Sequence, residues 1–148
     1  MGYIMGKADG AGEHFHSHVT ALSVAPEYRR IGLAGTLMKG LEDVSESKSA
    51  FFIDLFVRVS NLVAISMYKQ LGYTVYRKVL EYYDGDPDED AFDMRKALSR
   101  DDGSSVIPLK HPIHQDDLAS HTFGSQNKYI DPSALFCSYE EESTRYVN

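Results

Sequence analysis

The chain has 148 residues, enough for one domain with a substantial core. With 43% apolar residues, 25% charged residues and a formal net charge of −7, it has the composition of a globular domain, and its acidic balance argues against a general nucleic-acid-binding surface. The one cysteine, Cys137, excludes an internal disulfide framework and suits a reducing compartment, and no apolar run approaches membrane-spanning length.

The opening MGYIMGKADG lacks the basic start and long apolar stretch of a signal peptide. It matches a myristoylation start only at Gly2, because Gly6 stands where Ser or Thr is required. Residues 2–8 read as a strand, and the Asp-Gly and Gly content of DGAGE predicts a turn into a second strand over 14–24. There His14, His16 and His18 alternate, and Thr20, Leu22 and Val24 continue along one face if the strand is regular. Pro26 ends it. A helix follows over 35–47, with Leu37, Met38, Leu41 and Val44 at core-facing spacing. The almost continuously apolar 50–60 reads as a strand covered on both faces. Ser60-Asn61 caps a helix over 62–72 that ends at Gly72. Residues 73–83 form a strand, DGDPDED an acidic solvated turn, and 91–98 a last strand. The order is β-β-α-β-α-β-β, an α/β (α+β) domain over 1–98. From Ser99 to 148 the chain turns polar and reads as a largely disordered tail, apart from a short SALFCSY run.

The segment APEYRRIGLAGT joins a strand to a helix. A helix N-terminus offers free N–H groups and partial positive charge, so it is a natural anion site. Gly32 allows close backbone approach, Ala34 and Gly35 leave room beside it, and Arg29 and Arg30 add charge. A pyrophosphate-like ligand fits this chemistry. An ordinary surface turn with outward arginines fits equally well. The segment is neither a Walker loop nor a dinucleotide fingerprint.

Context separates the two. Arg29-x-x-Gly32-x-Ala34 resembles the acyl-CoA loop, Q/R-x-x-G-x-G/A, of the GCN5-related N-acetyltransferase (GNAT) superfamily. NLVAISMYKQLGY resembles its second signature, an Asn opening a helix followed by Tyr and LGY. HVTALSVAPEYRRIGLA, FFIDLFVRVSN, EYY and DEDAFDMRKALSRD further resemble the catalytic subunits of NatB N-terminal acetyltransferases, over residues 1–118. The resemblance implies a GNAT fold: a mixed, mostly antiparallel sheet with helices on both faces, here lacking the family's first strand and first two helices. It implies acetyl transfer from acetyl-CoA to the α-amine of nascent chains starting Met-Asp, Met-Glu, Met-Asn or Met-Gln. Its implied partners are nascent peptide N-termini, a large helical-repeat auxiliary subunit and, through it, the ribosome. The implied setting is the cytoplasm, with no direct nucleic-acid or membrane contact. The amino-terminal shortening keeps open an alternative: an impaired short form that binds only acetyl-CoA or the auxiliary subunit.

The resemblance also assigns residues. Leu22, Ser23 and Val24 line the acyl arm where the strand splays from its neighbour, and the freed backbone groups meet the pantetheine and, at Leu22, the thioester oxygen. Arg29, Arg30, Gly32, Leu33, Ala34, Gly35 and Thr36 cradle the pyrophosphate. Asn61 caps its helix and bonds the cofactor arm. Tyr68 is either the acid that protonates the departing thiolate or a packed core aromatic, whereas Tyr73 belongs to the core. His18, Thr20 and Ala21 meet the peptide's second residue, and Tyr82 and Tyr83 form a lid over its backbone. An imidazole and a hydroxyl suit the acceptor oxygen shared by Asp, Glu, Asn and Gln. The histidine alternation also permits a metal, but no Cys or carboxylate stands at ligand spacing, so no metal is expected. Direct transfer is expected, since Cys137 lies in the tail.

Overall fold

A computed structural model describes residues 1–118. It contains β1 (Gly2–Asp9), β2 (His16–Val24), α1 (Leu33–Ser47), β3 (Phe52–Arg58), α2 (Leu62–Gln70), β4 (Thr74–Tyr83), β5 (Glu89–Ala97) and β6 (Ile113–His114). The strands form one mixed sheet in the order β1-β2-β3-β5-β4-β6, parallel at β2–β3 and β4–β6 and antiparallel elsewhere. The expected element order is therefore present through β5. Cys137 and the SALFCSY run lie outside the described residues.

Three boundaries differ from expectation. Residues Gly12–His14 form a short 3-10 turn, so His14 is not part of β2 and the histidine alternation starts at His16. Helix α1 begins at Leu33 because Gly32, at φ 83, supplies the left-handed cap residue that lets the chain turn into the helix. The sheet does not stop at the expected boundary after residue 98. Ile113 pairs with Val79 and His114 with Leu80, and Leu109 N–H donates to the Tyr76 carbonyl (2.7 Å).

Side-chain alternation assigns the two faces. Ile53, Leu55 and Val57 of β3 point one way, opposite Lys96, Met94 and Phe92 of β5. Both helices pack there: Met38 of α1 and Ile65 and Tyr68 of α2 join Ile53, Leu55, Val57 and Met94 in one core. Burying each such aliphatic side chain contributes about 1.5–3 kcal/mol. Gly6 of β1 lets α1 approach, since a Cβ there would lie 3.0 Å from Leu41.

The expectation of helices on both faces is met on one side only among the described residues. The other face carries Phe52, Asp54 and Phe56 with Asp93 and Arg95. It is covered in part by the returning segment, whose Ser105 carbonyl accepts from Arg95 (3.4 Å). Asp93 is fully buried there, with Oδ2 3.1 Å from Arg77 Nε and 3.2 Å from an Arg95 terminal nitrogen. The Arg95 guanidinium stacks between Tyr76 and Phe52, 3.5 and 4.7 Å from their ring centres.

Candidate functional site

Strands β2 and β3 pair only from His16↔Phe52 to Val19↔Leu55, then part. Beyond Val19, β2 keeps β1 on its outer edge and β3 keeps β5, while the two edges that face each other across the fork run without strand partners. Backbone donors and acceptors left free this way must be satisfied by something else. The fork opens into a cavity of about 1020 Å³.

One register irregularity shapes the fork. Met5 pairs with Ala21 but Gly6 pairs with Val19, which leaves Thr20 as the extra residue of a bulge. The regular face expected for His18, Thr20, Leu22 and Val24 is therefore broken. Leu22 lies opposite Ile4, and both pack against the core. Ala21 and Ser23 turn to the face of His18, and Thr20 is exposed. Thr20, Ala21, Leu22, Ser23 and Val24 all line the cavity.

Across from β2, the loop into α1 supplies the anion-binding chemistry. Arg30 and Gly32 both adopt left-handed backbone, at φ 64 and 83. Arg29 Nε donates to the Val24 carbonyl (2.9 Å), which ties the loop to the strand end. Helix geometry leaves the N–H groups of Leu33, Ala34 and Gly35 without partners inside α1. Arg29, Arg30, Gly32, Leu33, Ala34 and Gly35 line the cavity. Thr36 does not. It sits one turn up the helix with its N–H on the Gly32 carbonyl (3.1 Å), so it stands apart from the cradle expected of it.

Helix α2 forms the third wall. Asn61 Oδ1 accepts from Ala64 N–H (3.2 Å), the expected N-cap, and its amide NH₂ remains available. Two turns on, Tyr68 is 8% exposed and lines the cavity. Its hydroxyl makes no hydrogen bond to any described residue, and burial pushes it above the usual phenol range. A protonated phenol faces the fork. Tyr73, by contrast, is held in the core against Glu42 and does not reach the cavity.

His18 and Tyr82 lie beside the cavity, joined to it through Phe56. Phe56 lines the cavity and packs against both rings, 5.4 Å from His18 and 4.6 Å from Tyr82. Tyr83 meets Tyr82 edge-on (4.9 Å) and lines the cavity mouth. Its hydroxyl donates to the Phe56 carbonyl (3.2 Å), and Arg58 lies over its ring (4.2 Å). Glu89 holds Arg58 (2.9 Å) and Ser60. The fork thus has an anion-binding end at α1 and an aromatic end at His18, Phe56, Tyr82 and Tyr83.

Sequence reasoning missed Phe56, Arg58 and Asp54. The signal for Asp54 was visible, a lone acid in an apolar strand. Its partner was not, because His18 lies on a different strand. Among the described residues no three His, Cys, Asp or Glu side chains converge to hold a metal.

The acetyltransferase (GNAT) family model matches residues 1–73. The N-terminal acetyltransferase B complex catalytic subunit NAA20 of Arabidopsis thaliana is 61% identical over 120 residues, covering 80% of this chain and 68% of that protein. A crystal structure of Chaetomium thermophilum Naa20 in complex with a bisubstrate analogue superposes with TM-score 0.71 at 40% identity, covering 78% of this chain and 70% of that one. The NatB acetyltransferase complex bound to CoA and MES gives TM-score 0.59 at 47% identity, covering 66% of this chain and 64% of that one. The chain spans about two thirds of the length of the curated relatives it matches.

Proposed function

The chain belongs to the GNAT acetyltransferase family, among the catalytic subunits of NatB N-terminal acetyltransferases, and on that premise we propose that it acetylates the α-amine of polypeptides beginning Met-Asp, Met-Glu, Met-Asn or Met-Gln. The observation that carries this reading is the fork. A free strand edge, an arginine-flanked helix N-terminus and a buried phenol surround one cavity, with a donor-bearing aromatic row at its far end.

Acetyl-CoA supplies the acetyl group as an activated thioester. The free amides of Leu33, Ala34 and Gly35, with Arg29 and Arg30, suit its pyrophosphate. The unpaired edge of Leu22, Ser23 and Val24, with the Asn61 amide, suits its amide-bearing arm. A backbone N–H at Leu22 polarises the acyl oxygen. An α-amine titrates near pH 8, so a useful neutral fraction exists at neutral pH and positioning supplies much of the rate. The amine nitrogen forms the new C–N bond as the C–S bond breaks, Tyr68 gives its hydroxyl proton to sulfur, and the amine's surplus proton returns through water to the Tyr68 phenolate. His18, Thr20 and Ala21 contact the second side chain, while Tyr82 and Tyr83 lie along the peptide backbone. Work in the cytoplasm on nascent chains, with a helical-repeat auxiliary subunit that docks on the ribosome, completes the proposal.

Gly32→Asp is expected to weaken acetyl-CoA binding at least tenfold by titration calorimetry. It puts a Cβ at left-handed φ 83 and a negative charge beside the pyrophosphate position. Unchanged affinity would remove the loop from the cofactor site. The substrate class is tested with peptides that differ only at position two. The four named second residues are expected to give kcat/KM about a hundredfold above Met-Leu, because an apolar side chain leaves the site's polar groups unpaired. Equal turnover of Met-Leu, or preference for a simple alkylamine, would overturn it.

A further inference from the structure

Beneath His18 lies a carboxylate that the reading above leaves without a role. Asp54 sits mid-strand in β3 at 6% exposure, on the face it shares with Phe52 and Phe56. A carboxylate in such surroundings is costly unless it is paired. Both of its oxygens face β2: Oδ1 lies 2.8 Å from His18 Nδ1, and Oδ2 lies 3.7 Å from His16 Nε2. Burial pushes the Asp54 carboxyl up. The hydrogen bond and charge of His18, with His16 and Arg95 beyond, outweigh burial and hold it below the usual carboxylate value. At neutral pH Asp54 can therefore only accept, and the facing nitrogen of His18 must carry the proton.

We propose that Asp54 is a positioning residue that fixes the proton of His18 on Nδ1 and so couples recognition of the peptide's second residue to protonation of the ring. The coupling rests on His18 as a peptide contact. With Nδ1–H committed to Asp54, Nε2 of a neutral ring is a lone pair and cannot donate to the carbonyl oxygen shared by Asp, Glu, Asn and Gln. Only the imidazolium, balanced by the Asp54 carboxylate, presents Nε2–H. Other charged or titratable groups surround the ring less directly. Lys7 stands opposite on β1, paired with Asp9. His16 lies two residues back, its Nδ1 donating to the His14 carbonyl (2.6 Å). Arg95 on β5 is engaged by Asp93, and the Tyr82 phenol lies beyond Phe56. Among the described residues only Asp54 hydrogen-bonds the His18 ring.

Asp54→Asn is the discriminating variant. Its amide can donate to Nδ1, which frees the neutral tautomer with the proton on Nε2. KM for a Met-Asp-led peptide, whose side-chain carboxylate can only accept, is measured for the full chain and the variant from about pH 6 to about pH 9. The substrate amine titrates identically in both, so the ratio of the two KM values isolates the ring. The ratio of unaltered to variant KM is expected to climb as the pH rises and the imidazolium gives way to the neutral ring, approaching about tenfold per pH unit, with kcat changed far less. A ratio that stays constant with pH overturns the positioning role. His18→Gln tests the underlying contact separately: KM and second-residue preference identical to those of the unaltered chain would overturn His18 as a contact and the coupling with it. Nitrogen-15 NMR of the neutral His18 ring in the unaltered full chain needs neither variant to fold. The Nδ1–H tautomer is expected, and the Nε2–H tautomer would overturn the proposal.

Discussion

Tyr68→Phe is expected to lower kcat by about a hundredfold or more while leaving acetyl-CoA affinity within about threefold. The substitution removes one oxygen and keeps the ring, so the edge-on packing against Tyr73 at 6.0 Å survives. The hydroxyl donates to no described residue, so its loss leaves no orphaned partner in the fold. What disappears is the proton available to the departing thiolate. Burial holds the Tyr68 phenol above its usual range, so it enters the reaction protonated throughout the neutral pH range. A kcat within twofold of the unaltered chain would mean that water protonates the sulfur and that Tyr68 serves packing alone.

Asp93→Ala is expected to cost about 3–5 kcal/mol of stability, the largest loss of any single substitution on the covered polar face. Asp93 is 0% exposed and bridges two guanidiniums, and the side chains of Arg77 and Arg95 are only 14% and 13% exposed. Burial pushes the Asp93 carboxyl up, partly offset by Arg95 and Arg77, but two arginines within hydrogen-bonding distance require an ionised partner. Removing that partner strands two nearly buried cations, whereas Asp93→Asn keeps an acceptor and should fall between. Urea unfolding measures the difference. A loss below about 1 kcal/mol would mean that the arginines reach water once released. The cavity lies away from this triad, so a folded Asp93→Asn is expected to bind acetyl-CoA normally.

Much of the site was legible in sequence because its parts are local. Strand, glycine turn and helix start at Val24 to Leu33 are contiguous, and Asn61 caps its own helix three residues on. The apolar stripe of α1 and the composition of β3 likewise needed only neighbouring residues. What remained hidden depends on contacts between distant segments. From their own residues β2 and β3 read as continuous strands, and the parting of the pair after Val19 and Leu55 was legible only through the family resemblance. The bulge at Thr20 is set by hydrogen bonding to β1, so Leu22 packs on the core side instead of sharing the face of His18 as it would in a regular strand. Asp54 meets His18 across 36 residues of sequence. Strand β6 has two residues, too few to show periodicity, and it gains its place by completing the free edge of β4.

The most direct test is acetyl transfer itself. The full chain, alone and with the auxiliary subunit, is incubated with acetyl-CoA and a peptide beginning Met-Asp-Glu, and the product is followed by mass spectrometry with fragment mapping. Acetylation at the α-amine, saturable in acetyl-CoA and suppressed by Tyr68→Phe, is the predicted result. No acetylated product in either preparation, or acetyl groups only on side chains, would contradict the fork as an N-terminal acetyl-transfer site in this chain.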